Sequence, residues 1–219
     1  MIAILKKELF LSFSAYGTTI LGLAFFITVI FVSTLGFDTD SNYFKMLGPG
    51  LTWATVLLSV IISAENIIKD DYHNGSLDLF LISPIPLEII LTLKGIAHWI
   101  GVCFPIIILT PVLSIMFGLS KSDLYWLIVG LLLGTPALSF IAVFGSCLTF
   151  SVKRASVLAP IIIMPLYIPT LVFGAKIINF SDNGNLYAST NLVVLGAITL
   201  ISISIVPFGA SFGVRAGIR

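Results

Sequence analysis

Glu65, Asp70, Asp71, Asp78, Glu88 and His98 carry most of the chemistry that the 219 residues could perform, and five of these are half of the ten acidic residues of the chain. Such groups could move protons, hold a metal or meet a soluble partner. A hydrolase would need a nucleophile paired with a base, and none stands out among the scattered hydroxyls. Cys103 and Cys147 sit in apolar runs, and they form no metal-ligand pattern with His73 and His98. A nucleotide cradle requires Gly-Lys before Ser or Thr, and the chain has no Gly-Lys dipeptide. No catalytic or metal-binding residue is therefore assigned. What remains is contact with a partner in water.

The surrounding sequence explains why that contact belongs to residues 65–95. The chain is 58% hydrophobic and 10% charged, with a mean hydropathy of +1.14, far from the quarter of charged residues usual in soluble domains. It reads as an all-α integral membrane protein forming one transmembrane domain over 1–219. About 20 apolar residues cross a bilayer, which places spans near 17–36, 46–64, 96–118, 124–150, 155–175 and 191–214. Six spans return both termini to one side. That side receives Lys6, Lys7, Lys69, Lys94, Lys153, Arg154, Arg215 and Arg219, against Lys45, Lys121 and Lys176 on the other. By the positive-inside rule the richer side is cytoplasmic. The net charge of +1 gives no sign of a nucleic-acid partner.

The start of the chain reads as an interfacial helix over 1–14 or as a ragged entry into the first span, with no cleavable signal. The expected spans contain no Asp, Glu, Lys or Arg, so no buried group is available to carry a coupling ion. Energy for driven work must come from another polypeptide. Pro105, Pro111, Pro136, Pro160, Pro165, Pro169 and Pro207 fall in the expected spans, which predicts bent helices packed on one another. The stretch from Pro165 to Pro169 reads as a kink or as a hinge. Gly130, Gly134, Gly145 and Ser146 suit close helix contact.

Within the loop, Gly75 breaks the preceding structure and Ser76 is the expected N-cap of a short helix through Ile82, with Asp78 at its positive end. Pro84 stops it and Pro86 opens the next helix. A short helix pinned between two spans can pass motion from a partner to the bundle. The plainer alternative is a helix resting on lipid headgroups. The residues expected to dock an ATPase are Ser76, Leu77, Asp78, Leu79, Phe80 and Leu81. Leu77→Asp or Phe80→Asp is expected to leave the chain inserted but uncoupled.

Glu65, Gly75-Ser76-Leu77-Asp78 and Ser83-Pro84 resemble the cytoplasmic signature of exporter permeases of the ATP-binding cassette class. More narrowly, Asp70-Asp71, Gly75-Ser76-Leu77, Ser83-Pro84-Ile85-Pro86-Leu87, Lys94, Ala97-His98-Trp99, Leu133-Gly134-Thr135-Pro136, Pro165-Leu166-Tyr167-Ile168-Pro169 and Phe173-Gly174 are, in that order, similar to the haem exporter B family (CcmB) of the cytochrome c maturation system. Asn74 stands where the commoner pattern has Asp, and both suit a turn.

The resemblance implies an ABC-2-like exporter permease with six transmembrane helices and a cytoplasmic coupling helix between the second and third. It implies a separate cassette ATPase that uses the ATP, a haem-handling membrane protein, a small membrane subunit, a haem chaperone and two permease copies per complex. Haem is the implied cargo, with no cofactor held tightly by this chain. The implied location is the bacterial inner membrane, or the mitochondrial inner membrane for an organelle-encoded chain. His98 is the candidate haem ligand, since imidazole is the usual axial group; the alternative is a hydrogen-bonded histidine at the membrane interface. Export of lipid, polysaccharide or drug, and a non-transporting assembly scaffold, are the alternative functions.

Overall fold

The computed structural model describes residues 6–10, 18–36, 42–152, 155–178 and 184–217. Every regular element among them is helical. Residues 6–10 form a helical segment, and the rest of the stretch 1–17 lies outside the described residues. Then follow α1 (Thr18–Gly36), α2 (Asn42–Ala64), α3 (Asn66–His73), α4 (Ser76–Ile82), α5 (Leu87–His98), a π-helical turn at Trp99–Cys103, α6 (Phe104–Met116), α7 (Lys121–Thr149), α8 (Ala155–Ala175) and α9 (Gly184–Gly217).

Five helical stretches are long and apolar enough to cross a membrane: Lys45–His73, Leu87–Val112, Lys121–Thr149, Leu158–Ala175 and Thr190–Gly217. The apolar part of α1, Ile20–Gly36, is shorter. Its 17 residues rise about 25 Å, somewhat less than a hydrocarbon core of about 30 Å.

Two helices run further than expected and take charges with them. The stretch from Lys45 continues past a one-residue break at Glu65 through α3, and the next begins at Leu87. Glu65, Lys69, Asp70 and Asp71 thus lie on the continuation of the one helix, and Glu88 and Lys94 on that of the other, beyond the charge-free ranges expected as spans. Length accounts for it. The 26 residues of Leu87–Val112 rise about 39 Å, roughly 9 Å more than the hydrocarbon core needs, and Lys94 lies about 10 Å along from Leu87.

The core is built on α7, which touches α2, α3, α5, α6, α8 and α9. Its first turn is fixed by a capping box: Ser120 Oγ accepts from the Asp123 amide at 3.2 Å, and Asp123 Oδ2 accepts from the Ser120 amide at 3.2 Å. Small residues let other helices close on it. A Cβ on Gly134 would stand 2.6 Å from Trp53 Cη2, and one on Gly145 would stand 2.2 Å from Ile163 Cγ2. A Cβ on Gly174 of α8 would stand against the same indole, 2.4 Å from Trp53 Cε2. Trp53 is fully buried between them.

The prolines lie inside helices without breaking them. Pro160, Pro165 and Pro169 all lie inside the continuous α8, which favours the kink over the hinge. Neighbouring side chains bond carbonyls on either side of Pro136: Thr199 Oγ1 donates to the Leu133 carbonyl at 2.5 Å and Tyr167 OH to the Leu138 carbonyl at 3.0 Å. Pro105 follows the π-helical turn, where its missing amide leaves the ladder without a donor.

Gly174→Ala is expected to lower the stability of the detergent-purified protein by about 1–3 kcal/mol, because the indole has nowhere to move. Gly196→Ala, where a Cβ meets nothing within 4 Å, should leave it unchanged or slightly raised. Thermal unfolding of the two variants checks this.

Candidate functional site

The segment from Glu65 to Lys94 is almost wholly helical. Glu65 keeps helical angles, and its carboxylate accepts from Lys69 Nζ at 2.8 Å, one turn on. The Ile68 amide donates to Ser146 Oγ of α7 at 3.1 Å, so a donor of the first turn of α3 is served from outside the helix. Gly75, with φ of 70°, ends α3 and begins α4. It takes the N-cap position expected for Ser76, which is instead the first helical residue; the reversal needs the left-handed backbone that glycine adopts without penalty. Asp78 lies in the first turn as expected. Ser83 ends α4 in extended conformation, and its Oγ accepts from the Ile85 amide at 3.0 Å. Pro86 caps α5, with its carbonyl accepting from Ile89 at 3.0 Å.

The residues expected to dock divide between two faces of α4. Leu77 is 1% exposed and packs with Ile68, Leu87, Leu91, Val143 and Cys147. Phe80 is half-buried, its ring facing Lys7 Nζ at 5.3 Å and Lys94 Nζ at 5.7 Å from the centroid. Asp78, Leu79 and Leu81 are exposed, and Ser76 is intermediate. Ile82, outside the expected set, is the most exposed apolar residue of the helix at 81%. An outward face of Leu79 and Ile82, three residues apart, was present in the helical spacing itself.

Beside α4 lies a cleft of about 250 Å³, lined by Phe80, Leu81, Pro84, Pro86, Leu87 and Arg215 among others. Glu88 accepts from Ser211 Oγ at 2.7 Å and lies 3.9 Å from Arg215, which ties the start of α5 to the end of α9.

Beneath Phe80 is a group of charges that the sequence did not reveal. Lys94 Nζ donates to Glu8 Oε2 at 2.7 Å and also to Asp71 Oδ2. The Lys94, Glu8 and Asp71 side chains are 3%, 8% and 10% exposed. Lys7 Nζ reaches Asp71 Oδ1 at 4.0 Å from a half-exposed position. Two carboxylates and two ammonium groups balance, as burial demands.

His98 is buried, and its Nε2 shares a hydrogen bond of 2.9 Å with Ser63 Oγ. Its Nδ1 has no hydrogen-bond partner among the described residues. Next to it, Trp99 Nε1 donates to Thr135 Oγ1 at 2.9 Å. The imidazole therefore faces protein rather than an open surface. Among the described residues no group of three His, Cys, Asp or Glu could hold a metal ion.

The family sequence model described as "CcmB protein" matches residues 1–217. The chain belongs to the CcmB family. Relatives named Heme exporter protein B are similar along its length: that of Rhodobacter capsulatus is 36% identical over 219 residues, covering all of both chains, and that of Paracoccus denitrificans is 36% identical with the same coverage. The protein of that name from Pseudomonas aeruginosa is 33% identical over 196 residues, 90% of this chain and 87% of its own.

For this CcmB-family chain the burial of Leu77 revises the expected effect of Leu77→Asp, which would place a carboxylate in a packed core. Leu77→Ala is expected to cost about 2–5 kcal/mol, whereas Ile82→Ala should stay within about 0.5 kcal/mol. Unfolding of the purified variants distinguishes the two positions.

Proposed function

We propose that the chain is the permease subunit of an ATP-binding cassette exporter that serves haem delivery for c-type cytochrome assembly. The observation that carries this reading is the outward apolar face of α4, pinned between two membrane-length helices, in a chain belonging to the CcmB family. The name shared by the relatives favours haem over lipid, polysaccharide or drug as cargo.

In this reading α1 completes a set of six spans, and both termini and residues 65–95 face the cytoplasm of a bacterial inner membrane. A separate cassette ATPase docks on Leu79, Leu81 and Ile82, with Asp78 at the rim. Ser76 holds the start of the helix, and Leu77 and Phe80 transmit from its inner face. Closure of the ATPase on nucleotide pushes α4, and the proline-bent bundle shifts between two arrangements. Two copies of the chain, a haem-handling membrane protein, a small membrane subunit and a haem chaperone complete the system. Haem is cargo here. His98 offers iron its Nδ1 alone, since Nε2 is engaged by Ser63, and ligation requires α5 to part from its neighbours.

Leu79→Asp combined with Ile82→Asp is expected to leave the chain inserted in the membrane while the ATPase no longer co-purifies in mild detergent. ATP-dependent accumulation of holocytochrome c should fall at least about tenfold, because a charged pair in an apolar contact opposes docking by several kcal/mol. Normal co-purification and normal cytochrome maturation in the inserted variant would overturn the proposal.

A further inference from the structure

Three ionisable side chains buried at one end of an apolar bundle are costly, and packing by apolar residues of the same volume is often as stable. What ions supply that apolar side chains do not is direction. Lys94 Nζ contacts carboxylates from two other segments, Glu8 lying 86 positions away and Asp71 at the end of α3. The second Glu8 oxygen, Oε1, is buried with no hydrogen-bond partner among the described residues.

The ring of Phe80 covers both ammonium groups at a distance suited to cation–π attraction. The inner face of α4 therefore rests on two supports. Leu77 sits in an apolar cluster with Ile68 of α3 and Leu87 and Leu91 of α5, and Phe80 sits on the charges. From Lys94 the chain continues through the rest of α5 and the π-helical turn into α6 without an intervening loop.

We infer that Lys94, gripped by Glu8 and Asp71 beneath Phe80, is a positioning residue: it makes α4, α5 and the helix over residues 6–10 move as one piece, so that a push on α4 reaches the bundle. This rests on the docking reading but concerns a separate step. Docking uses the outer face of α4, and transmission uses what lies under its inner face. Lys7 and Asp71 complete the balance of charge around the ammonium, with Glu8 on its other side.

The test uses the full complex, with the ATPase, in lipid nanodiscs. Spin labels replace Ile108 of α6 and Leu200 of α9, both well exposed, and their separation is measured with and without a non-hydrolysable ATP analogue. Lys94→Met, Lys94→Arg and the charge-free Glu8→Gln/Asp71→Asn/Lys94→Met triple variant are compared with the parent. The triple variant leaves no buried charge unpaired, since the remaining Lys7 is half-exposed, and so serves if Lys94→Met alone does not assemble.

In Lys94→Met or the triple variant, the ATPase is expected to co-purify at the parent ratio and to hydrolyse ATP, while the nucleotide-dependent change in label separation is lost and haem delivery falls at least about tenfold. Lys94→Arg, which keeps the charge, should retain most of both. A parent-like label change and delivery in either neutral variant overturns the inference. So does loss of the ATPase from them, which would make the cluster part of docking. Absence of the ATPase from the parent complex overturns the docking reading itself.

Discussion

The contact on which one end of this bundle depends is that of the Lys94 ammonium with Glu8 and Asp71, because none of the three can lie unpaired where it is. Removing one partner from a buried ion pair typically costs about 3–5 kcal/mol, the cost of the charge left behind. The pairing therefore fixes more than itself. It holds the 6–10 helix against α3 and α5, and it sets Phe80, and with it α4, at a defined height over the bundle.

The rest of the fold is arranged so that a displacement at that end would not be absorbed locally. Trp53 fills the space between Gly134 and Gly174, and Ile163 packs against Gly145, so α2, α7 and α8 interlock at near contact distance. Interiors this close-packed respond to force by shifting between arrangements rather than by compressing. Hydrogen bonds from Thr199 and Tyr167 to carbonyls on either side of Pro136 join α9 and α8 to α7 across the core. By contrast, α8 and α9 turn rows of exposed apolar residues outward, including Ile161, Met164, Ile168, Leu200, Ile205 and Phe212, as a surface in contact with acyl chains would.

Much of this could be read in the sequence, because lipid imposes long apolar runs and places charge at their ends. The helices, the position of α4, the glycine contacts at Gly134 and Gly145 and the kinked continuity of α8 all followed from local residue patterns. The ion cluster did not. Glu8, Asp71 and Lys94 come from separate segments, and each looks in sequence like an ordinary solvated charge at a helix end. The full length of the helices was missed for the same reason, since hydropathy stops counting a helix where its first charge appears, although the helix itself runs from Leu87. The differences on α4 were smaller. Ser76 suits an N-cap by type, but Gly75 takes that position with a left-handed backbone, and composition alone does not say that Leu77 points inward and Ile82 outward on a seven-residue helix.

The central claim, that α4 presents its outer face to a cytoplasmic ATPase, is tested most directly by labelling. Both native cysteines are buried and free, so a single cysteine introduced by Ile82→Cys can be followed with a membrane-impermeant maleimide in sealed vesicles of either orientation. The account predicts labelling in inside-out vesicles, blocked when the ATPase subunit is bound, and none from the opposite side. Labelling in right-side-out vesicles, or labelling unaffected by the ATPase, would contradict it.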